Sequence, residues 1–503
     1  MKLCDIIYKE EYETDEFIPT EIEINDLTRD SEKLTEGCLF FLLKSIKSYP
    51  NNIINNIKES KPAFIVSERE FLDTELPVPV LYVENARRTM AFAFSRFYKI
   101  DYSKTKFIAV TGTNGKTTTA TIIKEILLKE GESVGFIGTG KIEINGKSVN
   151  KEFYSMTTPD PEVLYKQISN MQSAECKYIV MEASSHALYF DKLAPITFEI
   201  GIFTNLSGEH LDFHKNINAY YESKLKLFSI SKAGIFNCDD RYARRAFSTV
   251  KCAAYSVGIL WPGDVMAREI VESGFSGSEY IYREKELIFK AKTQLVGVYN
   301  IYNSMLAIKA LILLGFKPCR IKKALYDIKT IDGRFEITNA KPTVIRDYAH
   351  TPDALDNLLK TVKSLKNTEQ NIIIVFGCGG ERDKIKRPLM AEIAKKYCIT
   401  SIITSDNSRG EPLCEIIEDI LKGFDETDKR LVMTDRKKAI EYAISSAAPE
   451  DIVVVAGKGA ESYIIDNDGT RPFNEKEIIE KALLKREKRE GCYENSFGDT
   501  TFI

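Results

Sequence analysis

The sequence has few of the residues that build metal clusters and disulfide frameworks. Its ten cysteines are scattered between Cys4 and Cys492 without a C-x-x-C pair, and it has only four histidines among 503 residues. A zinc or iron–sulfur cluster needs several such ligands at short spacing, and a small secreted fold needs a dense set of cysteines. The sequence therefore excludes both classes and indicates a protein of a reducing compartment.

Long apolar runs and an excess of one charge are also absent. No stretch approaches the ~18–20 apolar residues that cross a bilayer, and the first residues, MKLCDIIYKEEYETDEF, lack the apolar core of a signal peptide. The 70 Lys and Arg nearly balance the 73 Asp and Glu, which gives a formal charge of −3. Such a chain has no general attraction to nucleic acid or anionic lipid. We expect a cytoplasmic monomer that acts on small molecules, without nucleic-acid or membrane partners.

The sequence does contain short apolar strands separated by helix-length segments. A strand over residues 107–110 leads through a glycine-containing turn into a helix over 118–129, and a second series of strands begins near Asp332. This alternation predicts an α/β fold with parallel sheets, and the length calls for several domains. We expect an N-terminal domain over 1–103, a central P-loop-type ATPase domain over 104–331, a Rossmann-like C-terminal domain over 332–490, and a loose tail over 491–503.

A phosphate-binding loop is predicted where the strand over 107–110 ends. The segment TGTNGKTTT, residues 111–119, stands between this strand and the helix. Main-chain N–H groups in such a loop cradle an anion, and the helix N-terminus adds its dipole. Lys116 is placed to reach the β- and γ-phosphates, and the Thr117 hydroxyl to bind Mg²⁺. The residues assigned to ATP here are Gly112, Thr113, Asn114, Gly115, Lys116, Thr117 and Thr118.

The G-T-N-G-K-T loop resembles the ATP loop of the Mur ligase superfamily, which includes the folylpolyglutamate synthetases. Several ordered motifs extend this resemblance over roughly residues 105–480. Members of the superfamily phosphorylate a carboxylate with ATP, let an amine attack the acyl phosphate, and release phosphate. The resemblance therefore implies an ATP-dependent carboxylate–amine ligase with ATP and Mg²⁺ as cofactors.

Two further segments resemble the central domain of the superfamily. Glu182 in MEASSHAL and His210 in GIFTNLSGEHLDFH each follow a predicted strand, and the resemblance implies that both bind a second Mg²⁺. Lys224 in YYESKLKLF, rather than Lys226, matches the lysine that CO₂ carbamylates into an anionic metal ligand. A lysine must be neutral to react with CO₂, and burial or nearby cations lower its pKa. With Lys116, these residues form the implied catalytic set.

The segment SMTTPDP, residues 155–161, resembles the branch of the superfamily that adds the third residue of the peptidoglycan stem peptide. This implies UDP-MurNAc-L-Ala-D-Glu as the carboxylate substrate and a role in cell wall biogenesis, cell shape and cell division. A plain turn before a helix also fits Thr-Pro-Asp-Pro. The residues assigned to this substrate are Asp30, Ser31, Thr157, Thr158, Ser184 and Lys192.

Segments of the second half resemble those that approach the nucleotide in the family. They are QLVGVYNIYNSMLAIKA, DGRFE and RDYAHTPDAL. For Asn300 and Asn303 in the first segment, a structural role in capping the following helix is an equal alternative. The residues that the resemblance adds to the ATP site are Asn300, Asn303, Arg334, Asp347 and His350.

An amino-acid pocket is implied by the segments VFGCGGERDKIKRPLM, TSDNSRGEP and GKGAE. The guanidinium of Arg409 offers a two-pronged partner for a carboxylate. Meso-diaminopimelate has a distal carboxylate to occupy it, whereas L-lysine does not, and Glu461 suits the distal ammonium. The pocket therefore favours meso-diaminopimelate. The residues assigned to it are Arg387, Asp406, Asn407, Arg409, Gly457 and Glu461.

Departures from the family pattern leave alternatives open. Ser408 replaces the proline of D-N-P-R, Lys192 an arginine, and Glu32 an arginine of the first domain, while KSIKSYPNNIINNI stands where a D-G-H-x-F loop is expected. L-lysine, another amino acid, or a different carboxylate of a specialised pathway therefore remain alternatives. A folylpolyglutamate synthetase fits the T-T-P-D and D-N-x-R elements poorly. The alternative of another class is a nucleotide-binding scaffold without turnover.

Overall fold

A computed structural model describes residues 1–14, 21–43, 53–69, 76, 78–149 and 156–496. The strands form a four-stranded, an eleven-stranded and a six-stranded sheet, followed by one hairpin. Helices alternate with mostly parallel strands, so the predicted α/β class is confirmed. Along the described ranges, no helix is both long and apolar enough to span a bilayer.

The N-terminal sheet is small and parallel. In spatial order its strands are β1 Leu27–Thr28, β2 Leu39–Phe41, β3 Phe64–Ser67 and β4 Val80–Tyr82, and its helices are α1 Leu3–Ile6, α2 Ile53–Ser60 and α3 Ala86–Phe97. Its apolar residues join one face of the central sheet in a continuous core. Residues 44–52 of the segment in place of the D-G-H-x-F loop lie outside the described residues.

The central sheet has eleven strands, with the parallel ones in the middle and antiparallel pairs at both ends. Its spatial order is β15-β14-β13-β12-β11-β10-β5-β9-β6-β7-β8. The bounds are β5 Lys106–Thr111, β6 Val134–Gly138, β7 Lys141–Ile144, β8 Lys147–Ser148, β9 Tyr178–Glu182, β10 Phe198–Phe203, β11 Ser231–Asn237, β12 Ala253–Gly258, β13 Val265–Glu272, β14 Ser278–Glu284 and β15 Leu287–Thr293.

Helices cover both faces of the central sheet, which explains why its middle strands are continuous apolar runs. One face carries α4 Lys116–Lys129, α10 Val298–Leu313 and α11 Pro318–Tyr326. The other face carries α5 Pro161–Ser173, α6 Ser185–Tyr189, α8 Ile217–Ser229 and α9 Arg241–Thr249, with the short α7 Leu211–His214 before α8. This sandwich holds the carboxyl ends of β5, β9 and β10 side by side.

The third sheet is parallel except for its first strand. Its order is β16-β17-β21-β18-β19-β20. The bounds are β16 Glu336–Ile337, β17 Thr343–Asp347, β18 Ile372–Phe376, β19 Thr400–Ile403, β20 Arg430–Val432 and β21 Ile452–Ala456, with the hairpin β22 Tyr463–Asp466 and β23 Gly469–Pro472. Its helices are α12 Pro352–Leu365, α13 Lys386–Tyr397, α14 Leu413–Leu421, α15 Arg436–Ser446 and α16 Glu475–Ser496.

The end of the chain differs from the prediction of a loose tail. Helix α16 continues to Ser496, so the prediction is wrong for residues 491–496, and residues 497–503 lie outside the described part. The charged run KREKRE belongs to this helix. Arg486 of this run is buried and donates to the main-chain oxygens of Ile444 and Ala447, each at 2.6 Å, so the run also joins α16 to α15.

The carboxyl ends of parallel strands from the central and third sheets face one another. In α/β proteins, ligands bind in the crevice beyond these strand ends. A cavity of about 450 Å³ lies there, lined by the turn after β5, the start of α10 and the turns after β17, β19 and β21. The cavity is the candidate functional site.

Candidate functional site

Two glycines shape the turn between β5 and α4. Gly112 (φ 146°) and Gly115 (φ 83°) both have positive φ. A Cβ atom at Gly112 would lie 1.9 Å from the Thr204 hydroxyl oxygen, and one at Gly115 would lie 2.5 Å from the side-chain oxygen of Asn303. Neither position has room for a side chain, so the loop packs closely against the end of β10 and against α10.

The donors that this loop offers to an anion differ from the predicted set. The N–H groups of Thr113 and Asn114 donate to the main-chain and side-chain oxygens of Asn205, each at 2.9 Å. These two donors are occupied within the protein, although both residues line the cavity. The first N–H groups of an α-helix have no partner within the helix. The donors left for an anion are therefore those at the start of α4.

Lys116 and Thr117 bring a cation and a hydroxyl to the start of α4. The Lys116 Nζ donates to the main-chain oxygens of Gly112 at 3.0 Å and of Thr113 at 2.8 Å, and burial lowers its pKa. The Thr117 hydroxyl lies 3.0 Å from both carboxylate oxygens of Glu182. An adjacent hydroxyl and carboxylate are the hard oxygen ligands that Mg²⁺ prefers.

Glu182 ends strand β9 with a fully buried carboxylate. Besides Thr117, the main-chain N–H of Thr139 donates to it at 2.9 Å. In the described part of the chain, no three His, Cys, Asp or Glu side chains form a ready-made metal cluster. A cation at Glu182 would thus take further ligands from Thr117 and from the nucleotide, which is how Mg²⁺ is commonly held beside phosphates.

Three histidines pack around the turn that follows β10. His210 has a left-handed backbone (φ 56°) directly before α7, and its ring stands nearly perpendicular to that of His186, with 4.9 Å between centroids. Burial lowers the pKa of His210 to about 3 and the pKa values of His186 and His214 to about 4. The rings are therefore neutral at physiological pH, the state in which imidazole binds a metal.

Glu209 is a site residue that the sequence analysis missed. Its Oε1 lies 2.9 Å from Nε2 of His350, and its Oε2 lies 3.8 Å from Nε2 of His210. Burial raises the pKa of this carboxyl, but His210, His350 and Lys116 outweigh burial and hold the pKa well below its usual range. Its position next to His210 in the polar turn after a strand was the signal in the sequence.

Lys224 lies buried beside the phosphate loop. It is 1% exposed, and its Nζ donates to the main-chain oxygen of Gly112 at 2.8 Å. Burial and the neighbouring Lys116 hold the pKa of Lys224 well below its usual range. Lys226 is exposed and pairs with Asp191 at 3.0 Å. Of the two lysines in this motif, the structure brings only Lys224 to the loop.

The hydroxyls assigned to the nucleotide-peptide also brace the strand end at Glu182. Thr158 donates to the main-chain oxygen of Glu182 at 2.8 Å and accepts from the N–H of Ser184 at 3.0 Å. The hydroxyl of Ser184 accepts the N–H of Ala187 and caps α6. Thr157 lines the cavity. Thr158 and Ser184 are not among the residues that line the cavity.

Lys192 lies outside the cavity, in a cluster of cations between the N-terminal and central sheets. Its Nζ is 2.6 Å from Asp160, and Arg29 binds the same carboxylate. Arg87 interacts electrostatically with Asp160 and Arg29, and its guanidinium lies 4.2 Å from the ring centroid of Phe190. Glu68 also acts electrostatically on Arg87, so three cations and two carboxylates lie close together here.

Asp30 and Ser31 stand next to this cluster rather than in the cavity. The Asp30 carboxylate accepts the N–H of Glu32 at 3.0 Å and caps a short 3₁₀ turn. The main-chain oxygen of Ser31 accepts the side-chain amide of Asn56 at 3.2 Å. Both residues shape the turn that carries Arg29.

Asn300 and Asn303 lie near the start of α10 and line the cavity. The side chain of Asn300 donates to the main-chain oxygen of Val296 at 2.7 Å, and that of Asn303 donates to Asn300 at 2.9 Å. The Thr119 hydroxyl donates to Asn303 at 3.2 Å. The two side chains thus form part of the cavity wall and also join α10 to α4.

Residues of the third sheet reach across the cavity to the phosphate loop. Arg334 donates to the Thr117 hydroxyl at 2.9 Å, and its guanidinium lies 4.3 Å from the centroid of the Tyr348 ring. His350 bridges the same gap through its contact with Glu209. These two contacts hold the third sheet against the loop that would bind phosphate.

Asp347 ends strand β17 at the cavity wall. It accepts the N–H groups of Phe335 and Ala349, both at 2.7 Å. Burial raises the pKa of this carboxyl, and Arg334 opposes the shift. Asp347 thereby fixes the turns that carry Arg334 and His350.

The D-N-x-R residues form a cluster at the other end of the cavity. Asn407 donates to Glu461 at 3.0 Å, and Arg409 donates to the main-chain oxygens of Gly380 at 2.9 Å and of Asn407 at 3.1 Å. Lys458 and Arg436 lower the pKa of Asp406 to about 2 although burial opposes this. The assigned residues that line the cavity here are Asp406, Asn407, Arg409, Gly457 and Glu461.

Arg387 is not brought to the cavity. It is fully buried, and its guanidinium holds Glu411 in a two-pronged ion pair at 2.8 and 2.7 Å. It also contacts Asp419 at 3.0 Å and the main-chain oxygen of Gly379 at 3.2 Å. Both Nη groups are committed within the protein, because a carboxylate occupies the two-pronged face. Arg387 supports the glycine-rich turn from behind.

Arg382 lines the cavity instead, five residues earlier in the same segment. It is exposed, and its Nη1 donates to the main-chain oxygen of Glu381 at 3.2 Å. Burial and the charge of Arg382 lower the pKa of Arg409, and both residues line the cavity. The sequence GERDKIKRP offers both arginines, and only the fold distinguishes them.

Two family profiles match the chain. The profile described as the Mur ligase middle domain covers residues 110–311, and the one described as the Mur ligase, glutamate ligase domain, covers residues 333–459. Together they span both sides of the cavity.

Similar proteins and structures extend over nearly the whole chain. The UDP-N-acetylmuramoyl-L-alanyl-D-glutamate–2,6-diaminopimelate ligase 1 of Clostridium acetobutylicum is 38% identical over 467 residues, which are 92% of this chain and 95% of that protein. The ligase of the same name, without the numeral, from Clostridioides difficile is 39% identical over 475 residues, 92% of this chain and 96% of that protein. A solved structure of a ligase so named has a TM-score of 0.66 at 26% identity, covering 97% of this chain and 99% of that one.

Proposed function

The chain belongs to the Mur ligase family of ATP-dependent acid–amino-acid ligases, and we propose that it adds meso-diaminopimelate to UDP-MurNAc-L-Ala-D-Glu. The observation that carries this proposal is one cavity that joins a phosphate loop, the Thr117–Glu182 pair and the Arg409 cluster. The similar proteins from two clostridial species are named for this reaction. We also propose that it acts as a monomer in the cytoplasm, where nucleotide substrates such as ATP are available.

ATP binds with its phosphates at the start of α4 in this proposal. Lys116 and the first N–H groups of the helix face the phosphates, and Arg334 approaches from the third sheet through its contact with Thr117. Thr117 and Glu182 suit Mg²⁺ because both offer hard oxygen ligands 3.0 Å apart. Bound there, Mg²⁺ would offset the negative charge on the transferred phosphoryl group.

Lys224 is proposed to carry a carbamate. The neutral amine attacks CO₂, an N–C bond forms, and one proton leaves, so that a neutral group becomes an anion. Burial beside Lys116 favours the neutral amine, and the resulting carboxylate would stand next to the loop and offer an oxygen ligand to a metal. His210, with its neutral ring, is the partner proposed for the same metal.

The reaction takes two steps at one place. A carboxylate oxygen of the dipeptide attacks the γ-phosphorus of ATP, the bond to ADP breaks, and an acyl phosphate forms. The amine of the amino acid then attacks the acyl carbon, the C–O bond breaks, phosphate leaves, and the amine loses a proton. Lys116 and Arg334 stabilise the negative charge that develops in both steps, because they are fixed in place before the reaction.

Arg409 and Arg382, rather than Arg387, are proposed to bind the distal carboxylate of the amino acid. Both line the cavity, whereas Arg387 is committed to Glu411. Glu461 is proposed to bind the distal ammonium. This pairing favours a side chain that ends in both charges, as in meso-diaminopimelate.

The nucleotide end of the peptide substrate is proposed to use the cation cluster between the first two sheets. Lys192 and Arg29 both pair with Asp160, and Arg87 lies near Asp160 and Glu68. Ammonium and guanidinium donors of this kind bind a diphosphate. Arg29 also supplies a guanidinium close to Glu32, which replaces the arginine of the family pattern. Thr157 would contact the peptide part from the cavity wall.

The acyl-phosphate route is tested by following one oxygen atom. The enzyme is incubated with ATP, Mg²⁺, meso-diaminopimelate and UDP-MurNAc-dipeptide in which both carboxylates of D-Glu carry ¹⁸O at both oxygens. We expect one ¹⁸O in each phosphate released, measured by mass spectrometry, and an amide in the product. Phosphate without ¹⁸O would overturn the route, and no turnover would overturn the choice of carboxylate.

A further inference from the structure

A buried lysine lies among the residues proposed to bind the amino acid. Lys458 follows β21 in the G-K-G-A-E segment and is 0% exposed. Its Nζ donates to Oδ1 of Asn407 at 2.9 Å and to Oε2 of Glu461 at 3.1 Å, and lies 3.7 Å from Oδ1 of Asp406. Neither the phosphate loop nor the proposed chemistry uses this ammonium.

The charged residues around Lys458 determine how much of their charge it neutralises. The other buried cation beside Asp406 is Arg436, which binds Glu475 at 2.6 Å and forms a neutral pair with it. Lys458 therefore faces two carboxylates, Asp406 and Glu461, and neutralises one charge of the two. A buried ammonium needs such partners, since an unpaired charge in this position would be costly.

We propose that Lys458 is a specificity-determining residue that leaves one net negative charge for the ammonium of the incoming amino acid. This inference rests on the proposed function and deepens it. The distal end of meso-diaminopimelate carries one ammonium and one carboxylate. The remaining negative charge matches the ammonium, and Arg382 and Arg409 match the carboxylate.

L-lysine fits this charge pattern less well. Its distal end carries an ammonium alone, so it leaves both guanidiniums without a partner, and they and Lys458 repel it. Removal of the Lys458 charge weakens this repulsion. The discrimination between the two amino acids should then fall, whereas a purely structural lysine would affect both substrates alike.

The test is a competition between the two amino acids. Wild type and Lys458→Met receive ATP, Mg²⁺, UDP-MurNAc-dipeptide and an equimolar mixture of meso-diaminopimelate and L-lysine, and mass spectrometry gives the ratio of the two products. This ratio reports the ratio of kcat/KM values and does not depend on how much of the variant is folded. We expect the ratio to fall about tenfold in the variant.

Two further variants serve as controls. One distinguishes the loss of the Lys458 charge from the loss of its hydrogen bond, and the other tests the effect of removing an unrelated lysine. Lys458→Gln keeps a donor for Asn407 without the charge, and the same fall of about tenfold is expected. Lys438→Met on α15, where the lysine side chain is 74% exposed, is the matched control and should leave the ratio unchanged.

The outcomes distinguish this inference from the proposed function. A wild type that prefers meso-diaminopimelate, with an unchanged ratio in both Lys458 variants, overturns the role of Lys458 alone. Loss of both products in the variants also overturns it, because a selective charge does not abolish both reactions. A wild type that prefers L-lysine overturns the diaminopimelate assignment itself.

Discussion

Replacement of Lys224 by alanine is expected to lower kcat by at least about a thousandfold, because it removes the proposed anionic metal ligand beside the phosphate loop. Lys224 is 1% exposed and donates to the main-chain oxygen of Gly112 at 2.8 Å. The measurement is the rate of ATP-dependent phosphate release. Added formate or acetate should restore part of the activity, since a short carboxylate can enter the space left by the side chain.

Lys226→Ala is the matched control for this prediction. Lys226 lies on the same helix but is exposed and pairs with Asp191, so its removal should change kcat by less than about twofold. Equal effects of the two substitutions would show that the loss comes from the helix rather than from the buried amine. A Lys224→Ala variant with wild-type turnover would contradict the catalytic assignment.

Replacement of Arg409 by alanine should raise the KM for meso-diaminopimelate by about a hundredfold, because it removes a charge-assisted, two-pronged partner of the distal carboxylate. The KM for ATP should change less than about threefold, since the hydrogen bonds of Arg409 go to Gly380 and Asn407 rather than to the phosphate loop. Steady-state kinetics with each substrate varied in turn measures both values. L-lysine lacks the carboxylate and is repelled by the guanidinium, so its KM should not rise and its use should improve in the variant.

Arg430→Ala provides the comparison for Arg409. Arg430 belongs to strand β20 of the same sheet and donates to the main chain of the Asp425–Asp428 turn. The Arg430→Ala substitution should leave the KM values for ATP and meso-diaminopimelate near those of the wild type. An Arg409→Ala variant that loses ATP and diaminopimelate binding to the same degree would indicate a general collapse of the third sheet and contradict a specific contact.

Local patterns were sufficient to predict the strands that build the site. The phosphate loop is specified by three consecutive signals: the apolar run of β5, the glycine turn and the helix after it. All three favour the same strand–loop–helix structure. The antiparallel strands β14 and β15 were not predicted. Their sequences alternate buried and exposed residues at the sheet edge, and such half-polar segments resemble the loops between helices and parallel strands.

Side-chain partners distant in sequence could not be predicted. Arg387 and Arg382 stand in one segment, and only the folded position of Glu411 shows which guanidinium is already paired. The role of Lys458 likewise depends on its hydrogen bond to Asn407, which is 51 residues away in the sequence. A sequence motif identifies the chemical groups of a site, while tertiary contacts decide which of them remain available to a ligand.

The most direct test of the proposed function is ATP-dependent phosphate release with UDP-MurNAc-L-Ala-D-Glu, with meso-diaminopimelate and L-lysine compared side by side. The proposal predicts release that requires both the nucleotide-peptide and an amino acid, and that strongly prefers meso-diaminopimelate. A preference for L-lysine would contradict the roles given to Arg409 and Arg382. No release with either amino acid would contradict the carboxylate substrate and redirect attention to the cation cluster around Asp160.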